Sequence, residues 1–161
     1  MQDPYLFSRT IAENIGIPNE SISMESIKQS ADAACLTTTI ASFTKGYDTP
    51  VGERGVILSG GQEQRVAIAR MLTQNTPIMI FDDSLSAVDT ETDAKIRASL
   101  DKRFGSANRV IISHTLSKAE KIIVLDSGTI AEQGTHKELI SKDRIYRAIY
   151  DIQTTREEPT E

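Results

Sequence analysis

A stretch of five residues, Leu58-Ser59-Gly60-Gly61-Gln62, has the composition and spacing of an anion-binding helix start. Ser59 is a favourable helix N-cap, and Gln62 follows at the spacing of a capping box. The two glycines carry no β-carbon, so a ligand can approach their backbone N–H groups closely. Free N–H groups and the positive end of the helix dipole both favour phosphate there. An ordinary capped turn with glycines has the same composition, so on these residues alone both interpretations stay open.

Two adjacent carboxylates, Asp82 and Asp83, follow a short apolar run at residues 78–81. Such a run is typical of a buried parallel strand, and α/β sheets bind ligands at the carboxyl ends of their strands. Side chains alternate in direction along a strand, so the two carboxylates cannot do the same job. The alternative is a polar pair that ends a strand at a turn.

His114 follows a second apolar run, at residues 110–112, which also predicts a buried strand. A lone histidine is more often a surface or packed residue than a catalytic one. A right-handed crossover would bring the end of this strand to the sheet edge that carries Asp82 and Asp83.

The elements that must position these residues follow from hydrophobic spacing and capping residues. A helix of about a dozen residues is expected after Ser59. Further helices are predicted after Ser23, after Asp89 or Thr90 as far as Gly105, after Thr135, and around Tyr146, with a hairpin at 122–126 and 129–133 turned by Ser127-Gly128. Residues 37–44 have no clear pattern, and residues 45–50 predict a loop.

Composition excludes several classes of function. The 161-residue chain has room for one domain, its net charge is −5, and no Lys/Arg block is longer than a pair, which disfavours nucleic acid as a partner. Cys35 is the single cysteine, so a disulfide framework and a cysteine metal site are excluded. No apolar run reaches the roughly 18 residues that span a bilayer, so we expect a soluble or peripheral chain.

The run from Leu58 to Arg70 resembles the signature motif of ATP-binding-cassette (ABC) proteins, whose consensus begins L-S-G-G-Q and continues Q-R-x-x-x-A-R. The chain matches each of these positions. Residues 1–15 resemble the Q-loop segment of ABC exporters, and residues 49–55 resemble the T-x-V-G-E-R-G loop that precedes their signature. The resemblance implies an α/β fold, a partial P-loop NTPase (RecA-like) core with the ABC α-helical subdomain.

The resemblance also implies a role for each site residue. The implied nucleotide-binding residues are those of the signature, Leu58, Ser59, Gly60, Gly61 and Gln62, together with Asp89 of the D-loop. Asp82, which ends the Walker B motif, is implied to orient Mg²⁺, and Asp83 is implied to position or deprotonate the attacking water. His114 is implied to contact the γ-phosphate, and Gln2 is implied to reach both Mg²⁺ and the water. Taken alone, Gln2 would be a solvated terminal residue, and Asp89 would only cap a helix.

The chain departs from the family pattern at the position after Asp82, where glutamate is usual and Asp83 stands. One methylene fewer retracts the carboxylate by about 1.5 Å, and a misplacement of about 1 Å can cost ~10²-fold in rate. In this respect the chain resembles the impaired subunit of heterodimeric exporters. Thr115 also replaces the usual arginine after His114, and the stretch 118–121 is a few residues shorter than the pattern.

The resemblance divides the chain into a Q-loop segment (1–15), a helical subdomain (16–72), the C-terminal part of the RecA-like core (73–153) and a disordered tail (154–161). No G-x-x-x-x-G-K-[ST] sequence occurs. We therefore expect the C-terminal portion of a nucleotide-binding domain, with apolar sheet faces uncovered. We also expect that the chain by itself is marginally stable, binds ATP poorly and is inactive.

The resemblance implies an ATP-binding and ATP-hydrolysing subunit of an ABC exporter, using ATP and Mg²⁺ at the cytoplasmic face of the cell membrane. Its implied partners are a second nucleotide-binding domain in a head-to-tail dimer, possibly a heterodimer, and the exporter's transmembrane domains. Two alternatives stay open: a non-catalytic module that only supplies a signature surface, and a soluble ABC-type ATPase of DNA maintenance. The second alternative is disfavoured because heptads and a basic face are lacking.

Overall fold

The structure is a computed structural model that describes residues 5–19, 21–52, 55–74, 76–82, 84–85, 87–105, 107–113 and 119–157. Helices and strands both occur along the chain. Their bounds are α1 Ile11–Gly16, α2 Met24–Ala33, α3 Thr37–Ala41, α4 Gly60–Leu72, β1 Ile78–Asp82, α5 Thr90–Phe104, β2 Asn108–Ile112, β3 Ile122–Asp126, β4 Thr129–Gly134, α6 His136–Ile140 and α7 Ile145–Glu157, with a 3₁₀ turn at Gly46–Asp48. The short α3 and the 3₁₀ turn lie where the sequence predicts no regular element.

The chain forms two compact units, Met1–Ile112 and Ser113–Glu161. The boundary between them falls inside the segment 73–153, which the sequence analysis treats as one part.

In the first unit, α1 and α2 both pack against α4. These helices share a core of aliphatic side chains at helical spacing, and burial of that apolar surface stabilises their association. Among its fully buried members are Ile15, Ala31 and Ala69. Ser23 caps α2 by accepting a hydrogen bond from the Ser26 N–H at 3.2 Å, as predicted. The buried residues of α4 lie between Val66 and Leu72, so this core fixes the helix behind its exposed amino end.

Strands β1 and β2 form a parallel pair with Ile80 opposite Val110 and Asp82 opposite Ile112. The prediction of buried strands holds for one face of β1 and is wrong for its other face, which is exposed, while β2 is half-buried on one face and exposed on the other. Phe81 is 2% exposed and its neighbour Ile80 is 60% exposed. Val110 and Ile112 are also about half exposed, on the same face as Ile80. Apolar sheet surface is therefore uncovered among the described residues, in agreement with the expectation from the sequence.

The second unit consists of the β3–β4 hairpin, α6 and α7. The strands are antiparallel and turn at Ser127-Gly128, where both residues have positive φ, so the hairpin prediction is confirmed. Thr135 caps α6 with a complete capping box. The His136 ring contacts Tyr146 through Nδ1 and the phenol oxygen at 2.6 Å, which is consistent with a structural role for this histidine.

Helix α7 reaches Glu157, so residues 154–157 of the stretch expected to be disordered are helical. No helix in the described ranges combines the length and the apolar character that a membrane crossing requires.

Candidate functional site

Helix α4 begins at Gly60 with Ser59 as its N-cap. The Gln62 N–H donates to the Ser59 hydroxyl oxygen at 3.4 Å, and the Ser59 N–H donates to Gln62 Oε1 at 3.0 Å. This reciprocal pair is the capping box that the sequence predicts, and the helix runs for 13 residues. The cap satisfies the amide of Gln62 and leaves the first helical amides available.

The amino end of α4 lies at the surface of the first unit. Leu58 is buried and anchors the approach to the helix, whereas Ser59 and Gly60 are exposed and Gly61 is half-buried. Among the described residues, the amides of Gly60 and Gly61 have no hydrogen-bond acceptor. Two free N–H groups at the positive end of a helix of this length form a favourable environment for an anion.

Arg65 fixes the first turn of α4 to the end of α2. Its Nη1 donates to the Cys35 carbonyl oxygen at 2.7 Å, and its Nε donates to the Gly61 carbonyl oxygen at 3.2 Å. Cys35 adopts a positive φ of 55°, which turns its carbonyl toward the arginine after the helix ends. The guanidinium therefore fixes the glycine-containing turn through the Gly61 carbonyl, while the Gly60 and Gly61 amides remain free of it.

The segment 84–89 connects β1 to α5 beside this helix start. Asp89 caps α5 by accepting the Thr92 N–H at Oδ1, at 2.9 Å, so the predicted capping role is confirmed. This hydrogen bond from the Thr92 amide lowers the pKa of the Asp89 carboxyl. The Ala87 N–H donates to Gln64 Oε1 at 3.0 Å, so the segment is tied to the second turn of α4.

Asp82 is the last residue of β1 and is exposed. Within the described ranges, Asp, Glu, His and Cys side chains form no cluster of three that could hold a metal. Magnesium usually takes one or two carboxylates together with phosphate oxygens and water rather than a complete protein cage. An exposed carboxylate at the carboxyl end of a parallel strand fits that requirement, and Asp82 would supply it.

The three predicted catalytic residues, Gln2, Asp83 and His114, lie outside the described residues, as does Thr115. The structure therefore brings together the start of α4 and the segment that ends at Asp89. It places Asp82 at the edge from which that segment leaves.

A polar network that the sequence analysis missed joins α4 to the chain that follows Gln2. Asn14 is fully buried; its Oδ1 accepts the Phe7 N–H and its Nδ2 donates to the Phe7 carbonyl, both at 2.9 Å. Arg70 reaches from α4 to Asn14 Oδ1 at 3.1 Å and to the Asn14 and Tyr5 carbonyls at 2.7 and 3.1 Å. Burial lowers the pKa of Arg70, which stays protonated. The signal in the sequence was an asparagine between the apolar helix positions Ile11 and Ile15.

Comparison with known proteins identifies the family of this chain. A family model described as ABC transporter matches residues 1–86, more than half of the chain. The chain belongs to the ABC transporter family. The suspected ABC resemblance is thereby confirmed for the motifs in those residues.

Relatives extend the ABC similarity over nearly the whole chain. YgaD of Bacillus subtilis, an ATP-binding/permease protein attributed to multidrug export, is 43% identical over 156 residues, covering 95% of this chain and 27% of YgaD. The ABC transporter ATP-binding protein y4gM of Sinorhizobium fredii is 42% identical over 94% of this chain and 26% of its own length. The chain spans about a quarter of the length of the curated relatives it matches.

Among solved structures, a bacterial Atm1-family ABC exporter with ATP bound matches with a TM-score of 0.90 and 41% identity, over 94% of this chain and 27% of that one. The predicted α/β fold of the P-loop NTPase class is therefore confirmed.

Proposed function

We propose that this chain is part of the ATP-binding domain of an ABC exporter and supplies the signature half of an ATP site. The observation that carries the proposal is the exposed start of α4, where the Gly60 and Gly61 amides are unpaired among the described residues. Ser59 and Gln62 hold that turn by bonding to each other, which leaves the two amides available to a phosphate.

ATP would be held between this surface and a second nucleotide-binding domain in a head-to-tail dimer. In this arrangement, the amides at the start of α4 stabilise charge on the γ-phosphate as water attacks in line. Asp82 would ligate Mg²⁺, which neutralises phosphate charge when bound. By the family pattern, Asp83 orients the attacking water, while His114 and Gln2 contact the γ-phosphate and the metal site. Asp89 lies on the segment that faces the second domain.

The proposed membrane partner is a set of transmembrane domains, which would place the chain at the cytoplasmic face of the membrane. A partly open pocket of about 290 Å³ lies between Leu6, Val51 and residues 55–58, and Glu63 adds a charged group to its mainly apolar lining. Ile57 of its lining is 88% exposed, and Tyr5, which precedes Leu6 in the chain, is 72% exposed. Exposed apolar groups around a cavity are typical of a surface that contacts another protein segment.

The proposal keeps the division into a Q-loop segment (1–15), a helical subdomain (16–72), core residues 73–153 and a tail (154–161). Its ATPase activity is assigned to the complete protein rather than to this chain by itself.

Gly60→Glu tests the proposal. A β-carbon at Gly60 meets nothing within 4 Å, so the fold tolerates a side chain there, whereas a carboxylate would repel the γ-phosphate. We expect Mg²⁺-ATP hydrolysis by the complete protein purified from membranes to fall by about 10²-fold, comparable to the loss of one transition-state donor. The matched control is Ala98→Glu, which adds the same charge at an exposed position of α5. Hydrolysis at the parent rate by Gly60→Glu would refute the proposal.

Asp83→Glu tests whether the shorter carboxylate at this position makes hydrolysis slow at the site that contains it. Restoring the longer carboxylate should raise hydrolysis at the site that contains Asp83 by up to ~10²-fold, because a carboxylate misplaced by about 1 Å can then reach the attacking water. Asp83→Asn is the matched comparison and should lower any residual rate. The measurement is single-turnover hydrolysis of Mg²⁺-ATP by the complete protein. An unchanged rate in Asp83→Glu would remove the slow-site assignment and leave the rest of the proposal in place.

A further inference from the structure

The two glycines at the start of α4 have different surroundings, although the sequence suggests the same purpose for both. An ideal β-carbon at Gly60 would have no heavy atom within 4 Å. At Gly61 it would lie 2.6 Å from the carbonyl oxygen of Ala87, which is closer than real β-carbons approach any atom. The space at the β-carbon position of Gly60 is therefore open, whereas that of Gly61 is filled by the carbonyl oxygen of Ala87.

The amide side of Ala87 is held by the same helix. Its N–H donates to Gln64 Oε1 at 3.0 Å, one turn after Gly61. Residues three apart on a helix lie on one face, so Gly61 and Gln64 together present a single surface to Ala87. Both polar groups of one exposed residue thus face α4: the carbonyl packs on bare backbone, and the N–H is hydrogen-bonded.

Fixed elements flank the segment on either side. Ser84 Oγ donates to the carbonyl oxygen of Asp82 at the end of β1, at 3.2 Å, and the Val88 N–H donates to the Leu85 carbonyl at 3.1 Å. Asp89 then caps α5. Between these two attachments Ala87 contacts α4 through both its N–H and its carbonyl oxygen, and a shift of this contact would move Ala87 relative to the start of the helix.

We propose that Gly61 and Gln64 are positioning residues that keep the backbone at Ala87 in register with the amino end of α4. An event that moves the start of α4, such as engagement of a triphosphate, then also moves the backbone at Ala87. The role of a triphosphate rests on the proposed function. The contact between α4 and Ala87 does not.

The test measures hydrogen exchange of the Ala87 amide by NMR in the nucleotide-free full chain. Gly61→Ala displaces the Ala87 carbonyl, and Gln64→Leu removes the acceptor of the Ala87 amide. Each should speed exchange of that amide by about five- to tenfold, the worth of one such hydrogen bond. Gly60→Ala is the matched glycine control and should leave this amide unchanged. Gln64→Glu keeps a side-chain oxygen and should restore most of the protection.

The amide of Phe81 in β1 serves as the reference, since exchange there reports unfolding of the sheet rather than a local change. Faster exchange at Ala87 with an unchanged Phe81 amide supports the proposal. Parent-like exchange at Ala87 in both Gly61→Ala and Gln64→Leu overturns it, as does equal acceleration by Gly60→Ala. Gln64→Leu decides the matter if Gly61→Ala does not fold.

A second arm adds Mg²⁺-ATP to the complete protein. The Ala87 amide should respond to nucleotide in the parent and lose that response in Gly61→Ala. If the parent shows no response while the nucleotide-free differences persist, the coupling of Ala87 to a triphosphate is refuted and the contact stands. Hydrolysis by Gly60→Glu, measured separately, decides the proposed function.

Discussion

The helices of the first unit and its strand pair differ in how completely the described chain covers them. Ile11 and Ile15 of α1 are 1% and 0% exposed, because α1 and α2 both close on α4. In β1, by contrast, Met79 is 1% exposed and Ile78 is 59% exposed. The helical cluster has packing partners around its apolar faces, whereas the described residues cover the strand pair on one face.

The two regions also differ in what makes their packing specific. At the helices, Arg70 and the buried Asn14 bond to one another and to the backbone of the segment 5–9, so only one arrangement satisfies their polar atoms. The exposed face of the sheet carries aliphatic side chains, which any apolar cover of similar shape can satisfy. The helix junction is therefore closely packed and specific, whereas the exposed face of the strand pair can accept another apolar surface.

The largest predicted effect separates the two faces of β1. Phe81→Ala should lower the free energy of unfolding of the chain by about 3–5 kcal/mol, because it leaves a cavity in the core. Ile80→Ala, the matched truncation on the exposed face, should cost less than about 1 kcal/mol. Urea unfolding of both variants measures the difference. Equal losses would mean that the exposed face is covered in solution, and the comparison would no longer hold.

A smaller effect is predicted at the helix junction. Asn14→Ala removes the acceptor of the Phe7 N–H and one acceptor of Arg70, leaving two donors of a partly buried network unpaired, so unfolding should become easier by about 1–3 kcal/mol. Asn19→Ala is the control: this exposed asparagine accepts one N–H, from Ser21 at 2.9 Å, and should lose about 0.5 kcal/mol. The same urea measurement applies. A loss at Asn14 no larger than at Asn19 would show that the network does not specify the junction.

Both results bear on how far the site could be predicted. The capping box of Ser59 and Gln62 and the cap at Asp89 were predictable because donor and acceptor lie within three residues of each other. The network of Asn14 and Arg70 was not, because its partners are 56 residues apart. The contact of Gly61 with Ala87 was missed for the same reason, since it forms only when the segment after β1 returns to α4.

The smallest predicted effect concerns the cap of α1. Hydrogen bonds from the Thr10 N–H and hydroxyl lower the pKa of Glu13 below 4.5, its ordinary value. Because the pKa is lower in the folded chain than in the unfolded one, this contribution to stability is present above the ordinary pKa and is lost as pH falls through the folded pKa.

Glu13→Gln should therefore flatten the dependence of unfolding free energy on pH between about pH 5 and pH 3. Glu25→Gln is the control, since this acidic residue lies in the first turn of α2 without a complete capping box. A steep acid dependence that persists in Glu13→Gln would contradict the assignment.

The sequence by itself determined the capped starts of α2, α4, α5 and α6, the hairpin turn and the family motifs, since each depends on residues close together in the chain. It did not determine which face of β1 is covered. Residues 78–81 are all apolar, and because their side chains point alternately to opposite faces of the strand, both faces are apolar. Only the packing of other elements decides which face loses contact with water.

The tertiary structure alone distinguished the two glycines at the start of α4, leaving Gly60 open and placing Gly61 against Ala87. A glycine in the sequence shows only that a β-carbon is missing. Which atom lies in the space next to the glycine depends on a distant part of the chain.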